Sequence, residues 1–155
     1  MRRFSALLIS IWLGLHIGFG CIAAPTIFAR LETLPNGKVL AGTIAGTLFH
    51  TVNLFGIVAW LIIFFIAKSD NQRMTYRKSR VPMWTGLLLL LLGINEFLIT
   101  PVIAALRDQR SNWLHDIIGG RFGLWHGTSY ILYFIAAAIG LGLCIRLLRL
   151  DNPYR

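Results

Sequence analysis

The amino-acid sequence predicts an all-α integral membrane protein, a four-helix bundle made of two parallel-repeat helical hairpins with both termini on the cytoplasmic side. Three observations carry this expectation. The chain has 155 residues, of which 56% are hydrophobic and only 14% charged, where a soluble domain is roughly a quarter charged. Its apolar residues fall in four runs of 25 to 29 residues. Its cations gather at one set of run ends. The length suits a single domain covering 1–155. So little charge excludes an ordinary soluble enzyme, and the composition excludes disordered, collagen-like and disulfide-stapled chains.

The runs lie at 4–28, 39–67, 81–106 and 122–148. About 20 residues cross the ~30 Å hydrocarbon layer, so the surplus implies tilt or ends lying among headgroups. Lipid cannot satisfy backbone N–H and C=O groups, so each run must be helical. A barrel strand would alternate polar and apolar residues, and the six leucines at 87–92 do not alternate. The first run, preceded by Arg2 and Arg3, also resembles a signal peptide. It is too long for one, and Pro25 stands directly after Ala24, where cleavage would fall. Gly18-Phe19-Gly20-Cys21 makes a poor lipidation site because of its phenylalanine. The run is therefore expected to be a retained helix.

Mapping the net charge of +9 onto the runs orients the chain. Ten cations (Arg2, Arg3, Lys68, Arg73, Arg77, Lys78, Arg80, Arg146, Arg149 and Arg155) lie on one side. Five (Arg30, Lys38, Arg107, Arg110 and Arg121) lie on the other. The positive-inside bias puts both termini and the 68–80 link in the cytoplasm. The basicity is thus a topology signal and not a nucleic-acid footprint, although the 68–80 link could also meet anionic lipid headgroups.

The chain resembles itself at an offset of 76 residues, which aligns Pro25 with Pro101, His50 with His126, Ile27 with Ile103 and Asn53 with Ser129. Both halves enter the membrane from the same side, so the repeat is parallel. The pairs Gly14/Gly18, Gly42/Gly46 and Gly119/Gly123 have the spacing that lets membrane helices approach closely. Trp12, Trp60, Trp84, Trp113 and Trp125 read as interfacial belt residues. Cys21 and Cys144 fall near opposite ends of their spans, and no disulfide is expected between them.

Four ionisable side chains lie within the spans: His16, His50, Glu96 and His126. Such groups are costly in lipid and normally face the bundle interior in pairs. If a two-fold axis relates the halves, His50 and His126 converge on it at one depth. Two facing imidazoles suit axial ligation of haem b or a copper site, with His16, Glu96, Asn53 and Ser129 in support. The plainer alternative is that both histidines hydrogen-bond to Asn53, Ser129, Thr51 or Thr128 and fix the packing. Glu96 reads either as a protonated carboxyl bonded to a neighbouring helix or as a step in a proton pathway. No nucleophile elbow, P-loop, zinc-protease or dinucleotide motif occurs in the sequence.

The segments Ala24-Pro25-Thr26-Ile27-Phe28-Ala29-Arg30-Leu31, 41–49 (AGTIAGTLF) and 122–129 (FGLWHGTS) fit the patterns AP-x-x-F-x-x-L, AG-x-x-x-G-x-x-F and F-x-x-x-HG-x-S. Together they resemble the bacterial "domain of unknown function 4149" family, which is similar to the eukaryotic transmembrane-protein-205-like proteins. The resemblance implies a four-helix inner-membrane protein without an established activity, and places His126 in a family motif. Its eukaryotic relatives are associated with platinum-drug handling, which points toward metals or export. The architecture is also distantly similar to CopD copper-resistance proteins and HemJ-type porphyrin oxidases, an analogy of fold only.

The leading expectation is therefore a non-enzymatic membrane module binding haem or a transition metal through His50 and His126. The alternatives are a small proton-coupled transporter or export subunit using Glu96, a HemJ-like porphyrin oxidation, and a structural or assembly subunit. A homo-oligomer or a larger membrane complex is compatible with each.

Overall fold

The computed structural model of the chain describes residues 2–73 and 79–149. Span one consists of α1 (Arg2–Ile17), a π-helical turn (Gly18–Ala23) and α2 (Ala24–Leu31). Span two is one helix, α3 (Gly37–Arg73). Span three repeats the plan of span one with α4 (Val81–Ile94), a π-helical turn (Asn95–Ile99) and α5 (Thr100–Arg107). A short α6 (Trp113–Ile118) precedes span four, α7 (Phe122–Arg149). No strand occurs among the described residues. Four helical stretches are long and apolar enough to cross a membrane: Arg3–Leu31, Gly37–Arg73, Val81–Arg107 and Phe122–Leu148. Helix α3 continues to Arg73, so much of the cationic 68–80 link is helical. Residues 74–78 of that link, and Arg155, lie outside the described residues.

Each span packs on its neighbours in sequence, and span one packs on span four. Spans one and three therefore face each other across one diagonal, and spans two and four across the other. Arg2, Arg73, Ser79 and Arg149, the ends of the described segments, lie at one end of the bundle, the terminal end. The other end carries the 32–36 and 108–121 connections and, nearby, Pro25 and Pro101; it is called the proline end below.

The prolines explain why spans one and three are built in pieces. Proline has no N–H to donate, and its ring crowds the carbonyl one turn back. Widening the preceding turn to π geometry accommodates this. Ala24 N–H donates to the carbonyl of Phe19, and Thr100 N–H to that of Asn95. Both bonds reach back five residues, and donors and acceptors alike are 76 apart, so the internal repeat is present in the backbone. The halves part company after this. Gly37 opens the unbroken α3, whereas Trp113, 76 residues on, opens the six-residue α6. Gly119 and Gly120, with φ of 74° and 99°, break the helix before α7. Asn112 caps α6, its Oδ1 accepting from the N–H groups of Leu114 (3.0 Å) and His115 (3.3 Å).

Two apolar clusters fill the bundle. The larger, toward the terminal end, includes Ile9, Leu13, Trp60, Ile63, Leu88, Leu92, Ala136 and Leu143. The smaller, toward the proline end, centres on Ile99, Val102 and Trp125. Trp12 and Trp60 correct the belt expectation, because both are fully buried and meet edge to face with ring centroids 5.3 Å apart. Trp12 fits because two other helices present glycine to it. A Cβ on Gly140 would stand 2.6 Å from its Cζ3, and one on Gly56 would run into its Nε1. Of the expected pairs, Gly14/Gly18 and Gly119/Gly123 make no close approach, since a Cβ there would meet nothing within 4 Å, whereas one on Gly42 or Gly46 would stand 3.5 or 3.4 Å from the Arg107 side chain of span three. Both cysteines are free, Cys21 exposed and Cys144 buried.

Candidate functional site

Between the two apolar clusters lies a polar layer. His16, Asn53, Asn95 and Glu96 are each at most 4% exposed, and all fall near the middle of their spans. Asn95 and Glu96 are adjacent in sequence yet both buried. In a regular α-helix neighbours point about 100° apart; here the two occupy the π-helical turn ahead of Pro101, whose extra residue brings both inward. The proline thus helps to place the carboxyl group.

Glu96 has a partner for each oxygen. Nδ1 of His50, on α3, hydrogen-bonds Oε1. Nδ2 of Asn53, almost one turn along the same helix, donates to Oε2 at 2.8 Å. The carboxyl side chain is 3% exposed, while that of His50 is 54% exposed. The imidazole therefore stands between a buried acid and the outside of the bundle, and its Nε2 makes no hydrogen bond among the described residues.

His16 belongs to a separate arrangement. Its ring lies flat against Tyr133 of α7 with centroids 3.4 Å apart. Its Nε2 bonds the Tyr133 carbonyl oxygen at 3.0 Å, and the Tyr133 hydroxyl donates to the His16 carbonyl at 2.5 Å. The Trp12 ring also packs against it, tilted and 4.5 Å away between centroids. This reciprocal clasp locks span one to span four.

His126 is exposed on α7, stacked on Phe122 with centroids 5.7 Å apart. No hydrogen bond or ring contact joins it to His50, and α3 and α7 lie across a diagonal of the bundle. The expected pair of facing imidazoles therefore makes no direct contact. The duplication supplies the reason. His50 meets Glu96; shifting each by 76 pairs His126 with residue 20, which is glycine. The space there is taken by Tyr133, whose Cε1 would lie 2.8 Å from a Cβ on Gly20. Ser129, the counterpart of Asn53, is half-buried and makes no hydrogen bond among the described residues. Thr51 and Thr128 bond carbonyls of their own helices, Thr47 at 3.0 Å and Leu124 at 2.9 Å, and do not bridge to the histidines. Among the described residues no group of three or more His, Cys, Asp or Glu side chains could hold a metal ion.

A family model for a domain of unknown function (DUF4149) matches residues 7–112. The chain belongs to the DUF4149 family. The DUF4149 match takes in spans one to three with His16, His50, Asn53 and Glu96, and it ends before His126 and Ser129. No curated protein and no solved structure matches the chain.

Sequence reasoning overlooked Arg107 and the role of Asp108. The Arg107 guanidinium donates from Nη1 to the Gly42 carbonyl at 3.1 Å and from Nε to Asp108 at 2.8 Å. Arg110 donates to the other Asp108 oxygen at 2.7 Å. These two guanidinium bonds hold the Asp108 carboxyl below its usual range. The signal available in the sequence was the pair of cations flanking an acid at the end of a span.

Proposed function

We propose that this DUF4149 protein is a multi-pass protein of the bacterial inner membrane, with both termini cytoplasmic, and that it exchanges a proton at Glu96 by way of His50. In this reading it is the membrane-embedded centre of a small proton-coupled carrier. The observation that carries the reading is the bond between a carboxyl group 3% exposed and an imidazole 54% exposed. Imidazole accepts a proton on one nitrogen while releasing one from the other, near neutral pH. A proton arriving at Nε2 of His50 lets the Nδ1 proton pass to Glu96, and the reverse sequence returns it. Asn53 holds the second carboxylate oxygen, so the acid keeps one orientation in both states. Intramembrane acids of this kind mark proton relays in pumps and transporters. A carrier of four helices encloses little volume, so a homo-oligomer or a complex with other subunits accompanies the proposal.

Axial ligation of haem b, or a copper site, on His50 and His126 draws no support from this geometry. The two rings have different partners, and nothing brings them to a common atom.

The test is a pH-difference infrared spectrum of the protein in lipid nanodiscs. A carboxyl C=O band should appear in this spectrum for the wild type. It should disappear in Glu96→Gln and shift in His50→Ala. A spectrum with no Glu96-dependent carboxyl band would overturn the reading.

A further inference from the structure

We infer that water reaches Glu96 along a seam between α3 and span three that opens at the proline end, and that Arg107 is the movable plug of this seam. The inference rests on the proton-exchange reading above and adds the route and its gate.

On α3, Gly42, Gly46 and His50 succeed one another at four-residue spacing, so they line one face of the helix. The two glycines leave a trough, and the side chain of Arg107 lies in it. A Cβ on Gly42 would stand 3.5 Å from Arg107 Cδ, and one on Gly46 would stand 3.4 Å from Nη1. The guanidinium is therefore about one helical turn from His50, on the side of the proline end. Hydrogen bonds join Asp108, Arg107 and the Gly42 carbonyl in one group and His50, Glu96 and Asn53 in another, and the two groups follow each other along α3 from the loop to the middle of the bundle.

Such a line is costly against hydrocarbon. A half-exposed imidazole bonded to a carboxyl group near the membrane centre gains its stabilisation from water. The duplication shows that the seam is a built feature. Shifted by 76, Gly42, Gly46, Arg107 and Glu96 correspond to Ile118, Phe122, Leu31 and Gly20. The equivalent seam in the other half is thus apolar and has no acid at its end.

Arg107 is suited to move. One bond, to the Gly42 carbonyl, ties it to α3, while its other partner is Asp108 in the connection beyond α5. Asp108 also holds Arg110, whose side chain is 69% exposed. Breaking the Gly42 bond lets the guanidinium swing toward this exposed cluster without losing its counter-charge.

The experiment is thiol labelling by a membrane-impermeant maleimide, applied to each face of proteoliposomes. Single cysteines are introduced at Gly46→Cys and His50→Cys after Cys21→Ser and Cys144→Ser. Thiols react as thiolates, which form only where water reaches. Both positions should label from the face that carries the 32–36 connection. Val58→Cys, exposed on α3 two turns beyond His50, should stay unlabelled, and Arg107→Ala should raise the Gly46→Cys rate severalfold. The inference is overturned if positions 46 and 50 are inert while Val39→Cys at the helix end reacts, if they label only from the opposite face, or if Arg107→Ala leaves the rate unchanged. Because Gly46→Cys keeps His50 and Glu96 intact, labelling can fail while the Glu96 infrared band persists. That outcome removes the route and leaves the proton site standing; loss of the band with labelling preserved does the reverse.

Discussion

His50 and Glu96 are hydrogen-bonded between α3 and the π-helical turn of span three, the ring largely exposed and the carboxyl group buried. His126, the repeat counterpart of His50, has glycine where its acid would be. Two histidines at matching places in a duplicated chain thus have different roles.

This asymmetry predicts different costs of removal. His50→Ala leaves one oxygen of a buried carboxyl group without its partner, a loss of about 1–3 kcal/mol. His126→Ala removes an exposed ring stacked on Phe122 and should change stability by no more than about 0.5 kcal/mol. Thermal unfolding of both variants in one detergent checks this, and equal losses would contradict it.

The glycines divide in the same way. Gly56→Ala and Gly140→Ala force a methyl group into the Trp12 ring and should cost about 1–3 kcal/mol through overpacking. Gly14→Ala and Gly123→Ala meet open space. These two should be neutral or stabilising by up to about 1 kcal/mol, because alanine is the better helix former. Unfolding midpoints of the four variants should separate into two pairs.

Asp108 gives the proline end a pH dependence of known sign. Its carboxyl is held below the usual range by hydrogen bonds from Arg107 and then Arg110. A depressed folded-state value means that the stabilisation is present above the unfolded-state value, about 3.9, and is lost as pH falls through the folded-state value. The wild type should therefore lose more stability than Asp108→Asn when pH is lowered from about 5 to about 3. Parallel curves for the two proteins would show that the cluster contributes nothing.

Much of the fold was legible because lipid imposes simple rules: length and apolarity gave four helical spans, and the two prolines 76 residues apart marked the repeat seen in the backbone. The π-helical turns followed from Pro25 and Pro101 only in retrospect, since a terminator, a kink and a widened turn share one sequence signal. Trp12 and Trp60 were misplaced because belt and core tryptophans differ only in what faces them. Here the facing residues, Gly56 and Gly140, lie on other helices. For the candidate site, Glu96, His50 and Asn53 were all identifiable as costly polar groups. Their partnership was not, because the repeat suggested that like would face like. A two-fold axis brings the counterpart of a residue to the counterpart of its partner, and the acid partner, Glu96, is present in one half alone.

The most direct test of the central claim is the ¹⁵N solid-state NMR signal of the histidine rings in lipid bilayers, compared between wild type and Glu96→Gln. The account predicts that the His50 Nδ1 resonance moves with the substitution, while the resonances of His126 stay in place. A His50 signal indifferent to Glu96→Gln would contradict it.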